Sequence, residues 1–576
     1  MTKEGHKNSK VIDISSRRVP PRRSVPEQLD LQRMAHMTGS QVLKTILELD
    51  NAREAIQSLS PQDYYWLIKK IGEDDCLPIL ELGNSRQWHH VMDLEIWQRD
   101  RIDLPQASLW LKRLQFADTN ELAKWLYTEG QHFAYYYFFQ VLQVRIIGHD
   151  DPIDLPEGFF TLDGVFYVRS KDRELREPLQ KILEAMASLD LERYQTLLVA
   201  LSGVLPAELE EEMFRLRNVR IAEYGFLPFD EAMSVYSALP LKAIVGEKSQ
   251  PGQDVVSVDD EEIKSIIPLA PFYHAQETSL LVRVAAHCQD EEFLERLRLE
   301  FAGLCNQILS AEGLRIDDFD VLVKACRRAA GYVNVALERL SNAELGLAEE
   351  ILRKNSLLNV FRVGFGMALR VKWEAERWLK QSWFIEAGLP LSFWGDKWGA
   401  ILSGLLQKKP VYYVGDREGE LYRDFEGIEE VEQAYRILMR CKVLDLLLSE
   451  LLSGKLSEPL DRDEEITFYS ILFTYWGHEL LGHTPTHLPL KMDEAKKVLS
   501  ELRVGEKRSP YKMKGQREAF IQYYSDLGCW LEKKDHSLLL ETLSLLWEEF
   551  REEYQWIETA DLDPRFSKFL RIKPSP

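Results

Sequence analysis

From Gly39 to Leu59, apolar residues fall at Val42, Leu43, Ile46, Leu47, Leu49, Ala52 and Ala55. Intervals of three and four place them on one face of a helix. Ser60-Pro61 then supplies a helix cap with proline at the first helical position, and Gln62 and Asp63 follow in the first turn. That helix carries Tyr64, Tyr65, Leu67, Ile68 and Ile71 and ends at Gly72. Glu73, Asp74 and Asp75 open the next, through Cys76, Ile79, Leu80 and Leu82 to Gly83-Asn84, and Ser85 caps one carrying Trp88, Val91 and Met92. Short helices joined by polar turns predict antiparallel hairpins stacked into a superhelix. The entry Leu59-Ser60-Pro61-Gln62-Asp63-Tyr64 is echoed by Leu189-Asp190-Leu191-Glu192-Arg193-Tyr194, a weak internal repeat. A further helix is expected from Pro206 to just before Gly225.

Two segments break the helical period. Phe159 to Val168 sets Asp163-Gly164 between aromatic and β-branched runs, which predicts a β-hairpin with a type I′ turn. Val411 to Phe425, with Gly415 and Gly419 in a polar loop, predicts a second. The fold class is therefore mainly α: antiparallel helical hairpins, repeat-like and superhelical in the N-terminal half, then a helical C-terminal half, with two small β-hairpins. The expected boundaries are a disordered basic tail at 1–28, the helical-hairpin region at 29–245, and a linker at 246–260 around Gly246 to Asp254. A central helical region at 261–385 and a C-terminal helical region at 386–576 follow.

Composition narrows the function classes. The 576 residues carry a formal charge of -21, a surface that repels phosphate backbones and anionic lipid, so no nucleic acid is expected on the body. The tail runs the other way, with Lys3, Lys7, Lys10, Arg17, Arg18, Arg22 and Arg23 against Glu4 and Asp13. It reads as a solvated segment, or else as a tether to an acidic surface. Six scattered cysteines with no C-x-x-C pair argue for buried thiols in a reducing compartment, with Cys288, Cys305 and Cys326 in apolar helical stretches. The densest apolar run, Phe133 to Leu142, is half the length of a membrane span, and no apolar leader opens the chain. The expected location is cytoplasmic.

Several stretches together resemble an uncharacterised bacterial family of large all-helical cytoplasmic proteins, known only as a domain of unknown function. They include Leu67 to Asp74, Met92 to Asp103, Tyr224-Gly225-Phe226 with Asp230-Glu231-Ala232, Gly331-Tyr332, Phe361 to Phe365, Tyr422 to Phe425 and Asp563 to Phe566. The resemblance runs over most of the chain after residue 40. It implies one long helical protein and a bacterial origin, with no activity, cofactor or substrate. The opening hairpins are also similar to the N-terminal superhelical regions of magnesium channels and flagellar switch proteins.

Four groups of residues invite chemistry. His478, Glu479, His483 and His487 lie near the pattern in which two histidines four apart on a helix bind zinc and a glutamate acts as base. Here the first two histidines are five apart. On a continuous helix that spacing turns the rings about 140° from each other, against about 40° for a spacing of four, so they are expected to point apart. Gly482 and Pro485 predict that the helix stops between them. Gly364-Phe365-Gly366 lacks the strand and third glycine of a dinucleotide fold and reads as close helix packing. The acidic clusters Glu73 to Asp75, Asp259 to Glu262 and Asp461 to Glu465 read as helix N-termini rather than paired acids. Trp373, Trp378, Trp383, Trp394 and Trp398 read as core first and as a ligand groove second.

The fourth group is Trp97 with Arg99, Asp100 and Arg101, set among Asp93, Glu95 and Asp103. One reading is a helix-to-helix corner in which Arg99 or Arg101 bonds carboxylates and helix ends. The other is an interaction surface anchored by Trp and Arg. With no complete catalytic constellation and no cofactor motif, the sequence favours a non-enzymatic helical scaffold or regulatory protein that binds another protein. The alternative is a metal-dependent hydrolase using His478, Glu479, His483 and His487.

Overall fold

A computed structural model describes residues 29–147, 155–204, 208–245, 268–275, 279–313, 316–417, 419–452, 466–503, 509–512 and 516–573. The basic tail, the linker at 246–260, Pro206 and the two later acidic clusters lie outside the described residues. The fold is mainly α with small antiparallel strand pairs. It divides into two compact units. Unit 1 is built from the described parts of 1–229, 258–274 and 301–323, and unit 2 from those of 230–257, 275–300 and 324–576.

Unit 1 begins with six helices: α1 (Leu31–Ala35), α2 (Gly39–Leu47), α3 (Ala52–Gln57), α4 (Pro61–Ile71), α5 (Leu77–Leu82) and α6 (Ser85–Glu95). Ser60 caps α4, its hydroxyl accepting from Asp63 N, and Gly72 closes it at φ +101°. Asn84 rather than Ser85 caps α6, in a reciprocal pair with Gln87. Glu73 does not start a helix. Its carboxylate instead takes Lys69 Nζ at 2.5 Å and Arg113 Nη1 at 2.8 Å, a stronger partner set than a helix end provides.

The chain continues through β1 (Trp97–Gln98), β2 (Arg101–Ile102), α7 (Leu104–Ala117), α8 (Thr119–Tyr127) and α9 (Gln131–Val141). Three strands follow, β3 (Leu142–Ile146), β4 (Phe160–Thr161) and β5 (Phe166–Ser170), in the order β3-β5-β4. The expected hairpin is present but belongs to this larger sheet. Its turn is wider than type I′. Phe160 pairs with Val168 and Thr161 with Tyr167, only Gly164 takes a positive φ, and Asp163 accepts from Val165 N and Phe166 N instead. Helices α10 (Arg176–Leu189), α11 (Leu191–Leu201) and α12 (Leu209–Ala222) complete the N-terminal series. Asp190 caps α11 by accepting from Arg193 N, so the echoed entry Leu189 to Tyr194 repeats the capping hydrogen bond of Ser60, though with a different backbone conformation.

Buried polar groups tie unit 1 together. Asp63, almost wholly buried, accepts from Leu269 N and Ala270 N, and Gln62 donates to Asn306, which donates in turn to Tyr224 O. Lys69 lies 2.7 Å from the Glu95 carboxylate, which also accepts from Tyr65.

Unit 2 contains the long helix Leu357–Leu379, in which Gly364 packs on the helix of Tyr332: a Cβ there would stand 1.8 Å from Tyr332 O. The G-x-G is close packing, as its flanks predicted. Of the tryptophans, Trp394 and Trp398 are buried and Trp373 is exposed. Trp378 donates to Asp445, which also accepts from Trp383 N and Phe384 N at the start of a short helix. Strands β6 (Tyr412–Arg417) and β7 (Glu420–Arg423) form the second expected hairpin. Among the described residues no helix is long and apolar enough to cross a membrane. Cys305 and Cys326 are buried as expected, but Cys288 is half-exposed at a helix end and Cys529 is exposed.

Candidate interaction cleft

The segment that joins α6 to α7 is the place where sequence and geometry converge. Trp97 pairs with Ile102 and Gln98 with Arg101, which leaves Arg99 and Asp100 as a two-residue turn. Arg99 sits at φ +60°, a conformation that costs an L-residue roughly 1 kcal/mol or more. The Ile102 N–H donates to Glu210 of α12 at 3.0 Å and so holds the turn down. Gln98, Arg99, Asp100 and Arg101 are exposed, while Trp97 is half-buried.

The turn forms one wall of a cleft of about 940 Å³ in unit 1. The facing surface comes from α12, through Phe214, Arg217 and Ile221. The Trp97 and Phe214 rings meet at 5.7 Å, tilted 47° to each other, and the Arg217 guanidinium lies 5.6 Å over the Trp97 ring. Residues 226–229, with Leu309, Ser310, Glu312, Gly313 and Ile316, close the remaining sides, and Phe229 is exposed at the rim. Gly225 makes this arrangement possible. It follows α12 at φ +84°, and a Cβ there would meet the backbone of Gly303 at 2.6 Å.

The carboxylate-bonding arginines are not those of the turn. Arg220 grips Asp93 through two hydrogen bonds of 2.8 Å, and Arg217 Nε donates to Asp93 O at 2.6 Å. Both come from α12, more than a hundred residues along the chain, so the corner reading of Arg99 and Arg101 assigned the role to the wrong side chains. Arg217 also donates to Asn218. Burial lowers the Arg217 guanidinium to about 10, with the Asp93 charge acting in the opposite direction. Behind Trp97, His89 accepts from Trp125 Nε1 at 3.2 Å, and its other nitrogen lies 3.7 Å from Asp93. Arg217, Phe214 and Phe229 carried no local signal in the sequence, and Arg101 stands beside the cleft rather than lining it.

Comparison with known families bears out the resemblance. The profile of a family of unknown function, DUF6178, matches residues 22–573. The chain belongs to the DUF6178 family. No curated protein and no solved structure matches it, so the likeness of the opening hairpins to magnesium channels and flagellar switch proteins gains no support. In this DUF6178 chain, Phe226 of the stretch Tyr224-Gly225-Phe226 lines the Trp97 cleft, as do Leu94 and Trp97 to Asp100 of the stretch Met92 to Asp103.

The histidine group lies in unit 2, at the end of the helix Phe468–Leu480. The helix ends at Leu480, and His483 N bonds back to His478 O across Gly482 at φ +70°. The two ring centroids stand 6.2 Å apart and tilted, and the expectation that they point apart is corrected. The four residues still do not fit one ion. His478 Nε2 faces Leu488 O at 3.1 Å, His487 is buried, and Glu479 and His483 are exposed. Among the described residues no three His, Cys, Asp or Glu side chains are grouped to hold a metal.

Proposed function

We propose that this DUF6178 protein is a non-enzymatic scaffold or regulatory protein that binds a segment of another protein in the Trp97 cleft. The observation that carries the reading is Trp97 on the cleft wall, covered by the Arg217 guanidinium at 5.6 Å and meeting the tilted Phe214 ring at 5.7 Å. Tryptophan and arginine are the residues that most often dominate binding energy at protein interfaces, and they do so inside desolvated pockets. A guanidinium already bonded to Asp93 O and Asn218 is pre-organised, so less side-chain entropy is lost when a partner docks. The fitting occupant is a peptide segment with a large apolar anchor for the Phe214 and Phe229 side and an acceptor for the remaining N–H groups of Arg217. The reading includes a bacterial, cytoplasmic setting; the free cysteines fit a reducing compartment and do not bear on the organism. The acidic charge disfavours nucleic acid as the occupant.

The test is co-purification of a partner by the tagged full chain, compared across variants. Trp97→Ala and Phe229→Asp are expected to lose the partner recovered by wild type. Phe116→Asp, at an exposed apolar position outside the cleft, is expected to keep it. A partner retained by both cleft variants contradicts the reading.

A further inference from the structure

Strand β3 is an outer strand of the three-stranded sheet in unit 1, bonded to β5 on one side only. Lys171 N donates to Val141 O at 2.8 Å, and Ile147 N donates to Val165 O at 3.1 Å. In an antiparallel ladder these two bonds fix the alternation between them. Gln143 and Arg145 turn their backbone N–H and C=O toward β5, and Val144 and Ile146 turn theirs away. Among the described residues those outward groups have no hydrogen-bond partner. Arg145 and Ile146 are exposed, so solvent reaches the edge there. A row of unpaired backbone groups is the template on which an extended peptide adds a strand.

The side chains select the peptide. Gln143 and Arg145 share a face with their cross-strand partners Arg169 and Tyr167, and Val144 and Ile146 share the other with the buried Val168 and Phe166. The first face is basic and aromatic. Arg145 and Arg169 lie against the Phe159 ring at 6.0 and 5.0 Å, Arg169 donates to Gln143, and Lys171 donates to Phe139 O and Gln140 O. Among the described residues none of these three cations is paired with a carboxylate, on a chain whose net charge is -21. The same charge disfavours a second copy of this chain. Setting Val144 against Ile146 of another copy brings Arg145 directly opposite Arg145, which is destabilising. Setting Val144 against Val144 instead draws on the Leu142 N–H, already given to Phe138 O at the end of α9.

We propose that β3 takes up an extended acidic segment of another protein as a fourth strand of the sheet. Val144 and Ile146 exchange backbone hydrogen bonds with it, and a carboxylate of the segment meets Arg145. Its alternate apolar residues continue the face of Val168 and Phe166. A nucleic acid meets the cations equally well but has no alternating N–H and C=O at strand spacing to match the edge. The proposal does not rest on the Trp97 cleft.

The test is fluorescence anisotropy of the full chain with a short labelled peptide of alternating valine and glutamate, and with its valine–lysine counterpart. The glutamate peptide is expected to bind at least about tenfold tighter than the lysine peptide. Val144→Pro removes one outward N–H and no bond to β5, a change that outer strands tolerate, and is expected to weaken the glutamate peptide about tenfold. Arg145→Glu, at an exposed position, is expected to invert the preference between the two peptides. No binding of the glutamate peptide, equal affinity for both, or a preference unchanged by Arg145→Glu overturns the proposal. So does glutamate-peptide binding that Val144→Pro leaves intact, because the attraction is then one of charge alone. Oligouridylate bound as tightly as the glutamate peptide, and insensitive to Val144→Pro, gives the face to nucleic acid and overturns it too.

Discussion

The Arg220 guanidinium and the Asp93 carboxylate meet in a two-pronged ion pair, Nε to Oδ2 and Nη2 to Oδ1, each at 2.8 Å. That pairing occupies both carboxylate oxygens from α12 and leaves Arg217, three residues earlier, bonded to two neutral acceptors. One arginine therefore locks α12 to α6, and the turn before it presents its guanidinium over Trp97 on the cleft wall.

Arg99 is held at φ +60° in the exposed turn of the cleft. Arg99→Gly removes that backbone strain, and the expected outcome is a gain of about 1 kcal/mol in stability. Urea unfolding of the two proteins checks it. A loss of stability contradicts it and means that the arginine side chain contributes more than its backbone costs.

Lys69 bridges Glu73 and Glu95 with almost no exposure of its own side chain. Lys69→Met leaves the buried Glu95 carboxylate with the Tyr65 hydroxyl and no facing cation, and an uncompensated charge there is expected to cost about 3 kcal/mol. Adding Glu95→Leu is expected to restore most of the loss. A shift in the urea midpoint reads both changes, and a double variant as unstable as the single one contradicts the account.

Asp63 is almost wholly buried, and burial raises its carboxyl to about 6, against the backbone N–H groups of Ala270 and Leu269 and the Ser60 hydroxyl. Between the ordinary carboxylate value of about 4 and about 6, the folded chain holds a proton that the unfolded chain has released. Stability from this group is therefore full below the lower value and declines as the pH rises through that window, by about 1.4 kcal/mol for each pH step of one. Asp63→Asn is expected to flatten this part of the pH profile. Unfolding midpoints measured from pH 4 to 7 check it, and an unchanged slope contradicts it.

The sequence was most legible where structure is local. Ser60-Pro61, Asp190 and Gly72 act within one helical turn, and all three stand where the pattern put them. The cap at Asn84 was missed by one residue because Ser85 is an equally good capping type. Strand β3 was missed although Leu142, Val144 and Ile146 alternate with Gln143 and Arg145, because it follows directly on α9 without a turn residue and finds its partner only at Phe166 to Ser170. The cleft was half legible. Trp97 announced itself through its charged neighbours, but the turn Arg99-Asp100 has no glycine or asparagine, and Arg217 reaches Asp93 across 124 residues of chain. The histidine geometry failed because the angle between the rings was taken along a regular helix, although the helix end was legible at Gly482, where the chain turns back at φ +70°.

The most direct test of the central claim is site-specific photo-cross-linking in living cells, with a benzophenone amino acid placed at Gln98 or, as a control, at Phe116. Gln98 lines the Trp97 cleft, and Phe116 is an exposed apolar residue elsewhere in unit 1. The account predicts one discrete protein adduct from Gln98, absent from Phe116 and abolished when Trp97→Ala is added. The same adducts from both positions, or an adduct from Gln98 that survives Trp97→Ala, would contradict it.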